Sequence, residues 1–520
     1  MAKEIFFKEN GRNKMKVGID YVVDAIKTTM GAAGRNVYLW RPFGAPHNTN
    51  DGYSIAKEIT FIDPVENMGA ELVKEVAKKT VDEAGDGTSA SSLLLQAIIN
   101  EGQRQLTGNV NVMNMKRGID KAVAAVVEKI KSLAQEVDND DRLLQVATIS
   151  ANNDPEMGKY IVEAVKGVSK DGLITVEENK QYKTEVEFAD GMDVDAGFVS
   201  PYFMNTPEKS MCVFNEPHIL LYGGTLSSFK DFDKYIIEPM VKINHKPLII
   251  IADDFKGDIV LGLLTNIKNG LQTCCIKAPV AEIMEDIASV TGATFINTKT
   301  NLKLQDVKIS HFGKCETVKI TATKTSFIDG YGKEEVIEER IKQLQSQIKN
   351  AVSDFDRDNL KQRLAKMQSG VAIIKVGGKT QTEIDEKKDR IDDAKSATIA
   401  AMEEGYVAGG GTTFLHCLPA LSNLKFDNED EAKGAKAVEI AIQYPFAQIL
   451  SNAGLKADDY SVQIVMQPYG NGVNVKTNKV ENLLETGVID PAKVLRCAIE
   501  NAASAASLFL TTECVVAENI

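Results

Sequence analysis

The pattern of apolar residues changes twice along the chain, and this change restricts the fold more than any other feature of the sequence. Up to about residue 130, and again after Asp385, apolar residues recur at steps typical of amphipathic helices. Between about Ser169 and Thr325, short β-rich runs such as LITVEE and PLIIIADD alternate with helical segments. The pattern predicts either three sequential domains or one helical domain interrupted by an α/β domain, and periodicity alone leaves both arrangements open.

Several individual elements follow from the same periodicity. Helices are predicted over Asp63–Glu83 and over Lys116–Leu133. The apolar run Leu248–Ile251 predicts a strand that is buried on both faces. Apolar spacing from Glu334 to Met367, with a polar break at Asp354–Asp358, predicts a helical hairpin.

Length, charge and cysteine content exclude several classes of protein. A chain of 520 residues is too long for one core and suggests about three domains. The formal net charge of -13 argues against a nucleic-acid partner, because phosphate binding needs clustered basic residues. No apolar run approaches the ~20 residues of a membrane span, and MAKEIFFKEN lacks the apolar core of a signal peptide, so we expect a cytoplasmic protein without a membrane partner. The seven cysteines show no CxxC spacing and predict reduced, mostly buried thiols.

A glycine-rich turn precedes one of the predicted helices. In AGDGTSASS, Gly85, Asp86 and Gly87 lie just before Thr88 and Ser89, where the helix begins. The N-terminus of a helix binds phosphate well because its first N–H groups are unpaired and carry partial positive charge. The hydroxyl groups can donate to phosphate oxygens, and the Asp86 carboxylate is suited to holding Mg²⁺. The turn therefore indicates nucleotide binding, although a plain helix cap is the commoner meaning of such a segment taken alone.

Three further segments have the same character. They are TTMGAAGRNVYL (Thr28–Leu39), NDGYSIAKEI (Asn50–Ile59) and EEGYVAGGGTT (Glu403–Thr413). Each of them, taken singly, is more typical of a helix cap or a turn than of a ligand site. The segment VGGKTQ is similar to the end of a P-loop but has Ile373 where that motif requires glycine, so it predicts a turn.

Two adjacent acids, Asp392 and Asp393, lie on a predicted helix with basic neighbours. A solvated charged face is the commoner meaning of such a run, and composition favours it. The functional alternative is a carboxylate that orients a water molecule toward a terminal phosphate.

Taken in their order and spacing, the motifs resemble those of the bacterial-type (group I) chaperonins, the GroEL-like ring chaperones, over essentially the whole chain. The segments that carry this resemblance are TTMGAAGRNVYL, FGAPHNTNDGYSIAKEI, ENMGAELVKEVA, AGDGTSASS, MKRGIDKAV, TISANND, GFVSPYF, DFDRDNLKQRLAKMQSGVAIIKVGG, EEGYVAGGG, VIDPAKV and NAASAASLFLTTEC.

The resemblance implies a multidomain α and α/β protein with the chaperonin fold, in which one domain interrupts another. A helical equatorial domain that binds ATP would combine residues 1–133 and 405–520. A small intermediate hinge domain would combine residues 134–190 and 372–404. An inserted α/β apical domain that binds polypeptide would occupy residues 191–371.

The resemblance also implies a nucleotide site for ATP, Mg²⁺ and K⁺. Asp86 would be the Mg²⁺ ligand, Asp393 would be the catalytic carboxylate, and Asp51 would help to orient water. Asp393 would complete the site when the intermediate domain swings toward it. The other expected contacts are Thr29, Met30, Gly31, Ala32, Asn50, Gly52, Gly87, Thr88, Ser89, Ala90, Ile149, Ser150, Gly410, Asn474, Val488 and Asp490.

The implied function is ATP-dependent folding of non-native polypeptides inside a homo-oligomeric, heptameric ring, single or double, with or without a co-chaperonin. Clients would bind an apolar apical surface, since exposed apolar patches mark interaction sites. The expected members of this surface are Phe198, Tyr202, Phe203, Tyr235, Ile236, Val260 and Leu264. Without the resemblance, packing of Tyr202 and Phe203 in the apical core is an equal alternative.

Departures from the family pattern keep a second function open. Ala32, Asn50 and Ala90 replace a proline, a lysine and a threonine that the family usually has, while Ala447 and Lys456 replace a pair of charges that usually joins two rings. These differences suggest a divergent, virus-encoded member. The alternative function is a passive holdase ring with a decayed ATP site, although the acids that hydrolysis requires are all retained. A small-molecule kinase has no P-loop to support it.

Overall fold

The computed structural model separates the chain into two compact units. The terminal unit comprises residues 1–162 and 378–520, and the inserted unit comprises residues 163–377. The described residues are 3–40, 46–106, 108, 110–151, 154–168, 173–179, 182–189, 191–206, 210–243, 246–297, 302–350, 353–368 and 370–518. Residues 43–45 of FGAPHNTNDGYSIAKEI and 152–153 of TISANND lie outside them. Both ends of the chain therefore belong to one unit, and the division into three domains stays a prediction.

The terminal unit is mainly helical. Its helices are Lys8–Ile26, Gly52–Glu58, Pro64–Ala84, Thr88–Gln105, Val112–Leu133, Asp140–Ser150, Gln381–Glu404, Thr412–Leu421, Glu429–Ala441, Tyr444–Asn452, Ser461–Met466, Leu483–Thr486 and Ala492–Leu510. A further helix, Pro155–Gly167, runs across the unit boundary in sequence. The fully buried side chains of Ile19, Leu94 and Phe446 are among those that fill the interior.

Local sequence signals explain where these helices begin and end. The Asp63 carboxylate accepts hydrogen bonds from the first turn of Pro64–Ala84, and Gly85 ends that helix in the left-handed conformation. The helix expected over Asp63–Glu83 is thereby confirmed. The helix expected from Lys116 begins four residues earlier, at Val112, because the Asn111 side chain caps it.

Short antiparallel strand pairs complete the terminal unit. The pairs are Lys3–Phe7 with Cys514–Glu518, Val37–Leu39 with His47–Thr49, Tyr406–Ala408 with Ile489–Pro491, and Asn471–Asn474 with Lys479–Asn482. Asp490 lies opposite Val407 in the third pair, and a Cβ atom built on Gly409 would lie 3.2 Å from the Asp490 Oδ1 atom, so the glycines that follow Tyr406–Ala408 lie beside this acid.

The inserted unit contains a seven-stranded sheet. Six strands lie in the order Thr273–Lys277, Leu248–Phe255, His218–Leu226, Gly313–Ile320, Thr325–Gly330 and Gly191–Val194, and Cys212–Asn215 pairs with Gly313–Ile320. The first three strands are parallel, and the remaining pairings are antiparallel. Leu248–Ile251 is buried throughout, as predicted for a strand covered on both faces. A second sheet has the order Leu173–Glu178, Val371–Val376, Glu185–Ala189.

Helices flank the large sheet of the inserted unit. They are Phe229–Phe232, the π-helical Asp233–Ile237, Glu238–Ile243, Ile259–Ile267, Ala281–Thr291, Glu334–Asn350 and Asp354–Gln368. The last two form the expected hairpin, but the break expected at Asp354–Asp358 is wrong, since that stretch is helical. Ser353 precedes the second helix and caps it, since its hydroxyl oxygen accepts a hydrogen bond from the Asp356 N–H, and acidic residues in a first turn are favoured by the helix dipole.

Helix length and hydropathy bear on the membrane prediction. Across the described parts of the chain, no helix combines the length and apolar character needed to cross a bilayer.

Six of the seven cysteines are buried, and Cys514 is exposed.

Candidate functional site

A cavity of about 330 Å³ lies in the terminal unit where the glycine-rich segments meet. The structure brings together every residue that the sequence assigned to the nucleotide site. Its lining includes Thr29, Met30, Gly31, Ala32, Asn50, Asp51, Gly52, Asp86, Gly87, Thr88, Ser89, Ala90, Ile149, Ser150, Asp393, Gly410, Asn474, Val488 and Asp490. The four segments that were individually ambiguous therefore converge on one site, whereas VGGKTQ lies outside it and leads into the cap of the next helix at Thr380.

The turn formed by residues 85–88 presents the N-terminus of the helix Thr88–Gln105 to the cavity. Gly87 is the N-cap residue, with φ of 90°, and has no side chain that could occupy the first amide groups. The hydroxyl groups of Thr29 and Ser89 lie 3.4 Å apart on the same lining. Backbone amides and hydroxyl groups in this arrangement are suited to phosphate oxygens.

Four carboxylates line the cavity, those of Asp51, Asp86, Asp393 and Asp490. Burial raises the pKa of Asp86, and the negative charge of Asp51 raises it further. Burial also raises the pKa of Asp393 well above its ordinary value, with additional repulsion from Asp51 and Asp86. Burial and the charge of Asp86 raise the pKa of Asp490 to about 6, although the Gly410 N–H donates to it. A cation bound in the cavity would therefore relieve the repulsion among these buried carboxylates.

The donor set fits Mg²⁺ that is shared with a phosphate ligand. Among the described residues, no three acidic, histidine or cysteine side chains are placed to hold a metal ion by themselves. Mg²⁺ is typically bound by one or two carboxylates together with phosphate oxygens and water. Asp86 would be such a carboxylate, and Asp51 and Asp393 lie on the same cavity.

Asp51 also has a local structural role. Its carboxylate accepts hydrogen bonds from the N–H groups of Tyr53 (3.1 Å) and Ser54 (2.7 Å) and so caps the helix Gly52–Glu58. The cap fixes the carboxylate at the cavity, and each oxygen retains a second lone pair for a water molecule.

The adjacent acids Asp392 and Asp393 face different surroundings. Both lie on the helix Gln381–Glu404, but Asp392 pairs with Lys395 at 2.9 Å, whereas Asp393 lines the cavity. The charged-face interpretation thus fits Asp392, and the functional alternative fits the position of Asp393. Arg390, one turn earlier on this helix, lines the cavity as well.

Part of the cavity wall was not predicted from the sequence. Arg390, Gly411, Phe414, Pro445, Ile449, Val473, Val475, Lys476, Pro491, Val494 and Leu495 also line it. Most of these residues are apolar, and no motif gave them a role in ligand binding. Gly411, Val473, Val475 and Pro491 lie directly beside assigned residues, but a neighbouring position does not by itself predict that a side chain lines a cavity.

The inserted unit corrects the expected client surface. Phe203 and Ile236 are each only 2% exposed and belong to the core, so they cannot present an apolar surface. Tyr202 is 83% exposed, and Phe198, Tyr235, Val260 and Leu264 are partly buried.

Leu261, which follows Val260 in sequence, and Val280 are strongly exposed apolar residues of the inserted unit that the sequence did not mark. Leu261 is 70% exposed and Val280 is 63% exposed. A surface groove nearby is lined by Phe198, Val199, Phe255, Val260, Lys277 and Pro279, among others. The exposed apolar residues therefore flank part of the surface that was expected.

A helical unit interrupted in sequence by an α/β unit, with a glycine-lined acidic cavity in the former, defines a chaperonin. The chain belongs to the TCP-1/cpn60 chaperonin family, whose model matches residues 22–519. The family expected from the sequence and the chaperonin fold are thus confirmed.

The same fold occurs in solved structures of the chaperonin gp146 from the bacteriophage EL 2 (Pseudomonas aeruginosa), determined in the presence of ATP-BeFx. Crystal form II has a TM-score of 0.70 at 19% sequence identity, and 99% of each chain is covered. Crystal form I has a TM-score of 0.65 at 18% identity with the same coverage.

Proposed function

We propose that this chain is an ATP-driven folding chaperone that works as a homo-oligomeric, heptameric ring. The observation that carries the proposal is the convergence of Asp51, Asp86 and Asp393 with a helix N-terminus on one cavity. The phage chaperonin gp146, which has the same fold, was crystallised in the presence of ATP-BeFx, and this supports nucleotide as the ligand. We further propose the three-domain division given above, a cytoplasmic location and a viral source.

In the proposed reaction, the amides at the start of Thr88–Gln105 and the hydroxyl groups of Thr88 and Ser89 hold phosphate oxygens. Asp86 would hold Mg²⁺, and the main-chain carbonyl of Asn50 is suited to K⁺. Bound there, these cations would supply positive charge that offsets the charge of the phosphates. Asp393 accepts a hydrogen bond from the attacking water and orients it toward the terminal phosphate, with Asp51 beside it.

Repulsion among the acids links cation binding to catalysis. Without a cation, Asp393 has a pKa well above the ordinary value because it is buried near two other carboxylates. A cation held by Asp86 would lower that pKa, since it would offset the neighbouring negative charge. Asp393 would therefore be ionised, and able to act as a base, more readily with Mg²⁺ at Asp86 than without it.

We propose that non-native polypeptides bind the exposed apolar residues of the inserted unit. Tyr202, Leu261 and Val280 are strongly exposed members of this surface, and Phe198 and Val260 line the adjacent groove. An exposed apolar surface of this kind suits clients that share only exposed apolar groups.

The alternative is a passive holdase ring, and one observation favours it. Ala90 lines the cavity at a position where the family usually supplies a hydroxyl group, so one phosphate contact is lost. The charged residues argue for the active form, because an inactive site has no need to keep buried acids that destabilise the nucleotide-free protein.

A phosphate-release assay separates the two functions. The unmodified protein is mixed with ATP, with and without Mg²⁺, and nucleotide affinity is measured in parallel by calorimetry. We expect Mg²⁺-dependent release together with Mg²⁺-dependent binding. Binding of a denatured client by a protein that neither binds nor hydrolyses ATP would establish the holdase instead.

A further inference from the structure

The helix that carries Asp393 contacts the phosphate-binding turn through two small residues. A Cβ atom built on Gly85 would lie 2.1 Å from the Cβ atom of Ser396 and 2.8 Å from its Oγ atom. Gly85 immediately precedes Asp86, and Ser396 lies one helical turn after Asp393. The contact therefore connects the two backbone segments that position Asp86 and Asp393.

We infer that the contact between Gly85 and Ser396 sets the depth to which Asp393 enters the cavity, so that both are positioning residues for hydrolysis. This inference rests on the proposed ATPase function. Neither residue touches the reacting atoms; they act by fixing the distance between the helix Gln381–Glu404 and the turn at residues 85–88.

The remaining contacts of the helix are consistent with this role. Ala84, Ala400, Val494 and Cys497 form a small buried cluster, so the helix packs closely against the turn one helical turn beyond Ser396 as well. Glu404, at the C-terminal end of the helix, pairs with Arg496, whose Nε atom lies 2.9 Å from it. The end of the helix is thus held by an ion pair, and the contact at Ser396 joins the helix to the phosphate-binding turn one helical turn from Asp393.

Adding a single methyl group should displace the helix. Side-chain Cβ atoms do not approach other heavy atoms closer than 3.0 Å, so Gly85→Ala requires a shift of about 1 Å. Misplacement of a catalytic group by that distance lowers the rate by up to ~100-fold. Nucleotide affinity should change far less, because the amides of the following helix keep their positions.

One control variant and two second-site variants separate the effect of this contact from the backbone strain of alanine at a positive φ. Gly85 has φ of 72°, so alanine is also strained there; Gly454 has φ of 77° and no heavy atom within 4 Å of its added Cβ, which makes Gly454→Ala the control for strain alone. Ser396→Gly removes the clashing Cβ and leaves the Cα of residue 396 at 3.2 Å, whereas Ser396→Ala keeps the Cβ.

The test measures kcat for phosphate release and Kd for Mg²⁺–ATP. We expect Gly85→Ala to lose ~10- to 100-fold in kcat with little change in Kd, Gly454→Ala to lose less than twofold, and Ser396→Gly, but not Ser396→Ala, to restore at least fivefold to Gly85→Ala. Equal recovery with both second-site variants, or full activity of Gly85→Ala, overturns the inference.

A structural measurement keeps the inference testable if the unmodified protein proves to have no ATPase activity. The absence of ATPase activity would contradict the proposed function, but it would leave this inference untouched. Cryo-electron microscopy of Gly85→Ala should show Asp393 withdrawn from the cavity by about 1 Å or more relative to the unmodified protein. An unchanged position of Asp393 overturns the inference whatever the activity.

Discussion

Replacing Asp490 by asparagine should stabilise the nucleotide-free protein. The pKa of this carboxyl is about 6 in the folded protein against an ordinary value of 3.8, and burial is the main cause. A shift of about 2 units corresponds to about 3 kcal/mol, since each unit is worth about 1.36 kcal/mol. At pH 7 the folded protein carries that cost of ionising Asp490, and Asp490→Asn removes it. The asparagine oxygen still accepts the hydrogen bond from the Gly410 N–H.

The sign of the pH dependence follows from the raised pKa. Between about pH 4 and pH 6 the unfolded chain has lost this proton while the folded protein still holds it, so the contribution of Asp490 to stability falls as the pH rises. We therefore expect Asp490→Asn to gain up to about 3 kcal/mol at pH 7, about half of that at pH 5, and little near pH 4.

Equilibrium urea unfolding at fixed protein concentration measures this gain. Asp458→Asn, at an exposed carboxylate of the same unit, is the matched control and should change the free energy of unfolding by less than about 0.5 kcal/mol. A gain that is absent at pH 7, or that is the same at pH 5 and pH 7, would refute the assignment of a buried, repelled carboxyl at this position.

Three further predictions concern other parts of the protein. Leu261→Glu should weaken capture of a denatured client at least ~10-fold in a light-scattering assay, whereas Leu508→Glu, at a residue 62% exposed in the terminal unit, should not; equal effects would exclude the proposed surface. Asp286→Ala should cost ~3 kcal/mol in urea unfolding, because it removes the fully buried carboxylate that lies 2.7 Å from the Nε atom of Arg340 and 2.8 Å from that of Arg363; Arg340 keeps Glu285 at 3.0 Å, and a cost below ~1 kcal/mol would contradict this reasoning. The value of kcat/KM for phosphate release reports the free enzyme, in which the pKa of Asp393 is raised, so it should begin to fall at a higher pH than an ordinary carboxyl would cause; a kcat/KM that stays constant down to about pH 4 would contradict the role of this acid.

The sequence predicted the nucleotide cavity better than the client surface. The cavity is built from short motifs in which glycine, hydroxyl and acidic residues have fixed local roles, and motifs of this kind survive divergence of the surrounding chain. Its apolar wall, with Ile449 and Val475, comes from separate elements that meet only in the folded protein, so no local pattern marks it.

The predicted client surface was wrong at Phe203 and Ile236, and the local structure explains both errors. Tyr202 and Phe203 are neighbours in the 3-10 turn Pro201–Phe203, where no regular period assigns one side chain to solvent and the next to the core. Ile236 lies in the π-helical segment Asp233–Ile237, where the wider turn rotates side chains away from the face that an α-helical period predicts.

The measurement that most directly tests the central claim is single-turnover phosphate release by Asp393→Ala, with nucleotide affinity measured on the same samples. Asp392→Ala is the matched control, because this adjacent acid pairs with Lys395 and does not line the cavity. We expect the first variant to bind Mg²⁺–ATP and to lose at least ~100-fold in rate, while the control stays within about twofold of the unmodified protein. Turnover at the unmodified rate in Asp393→Ala would contradict the account.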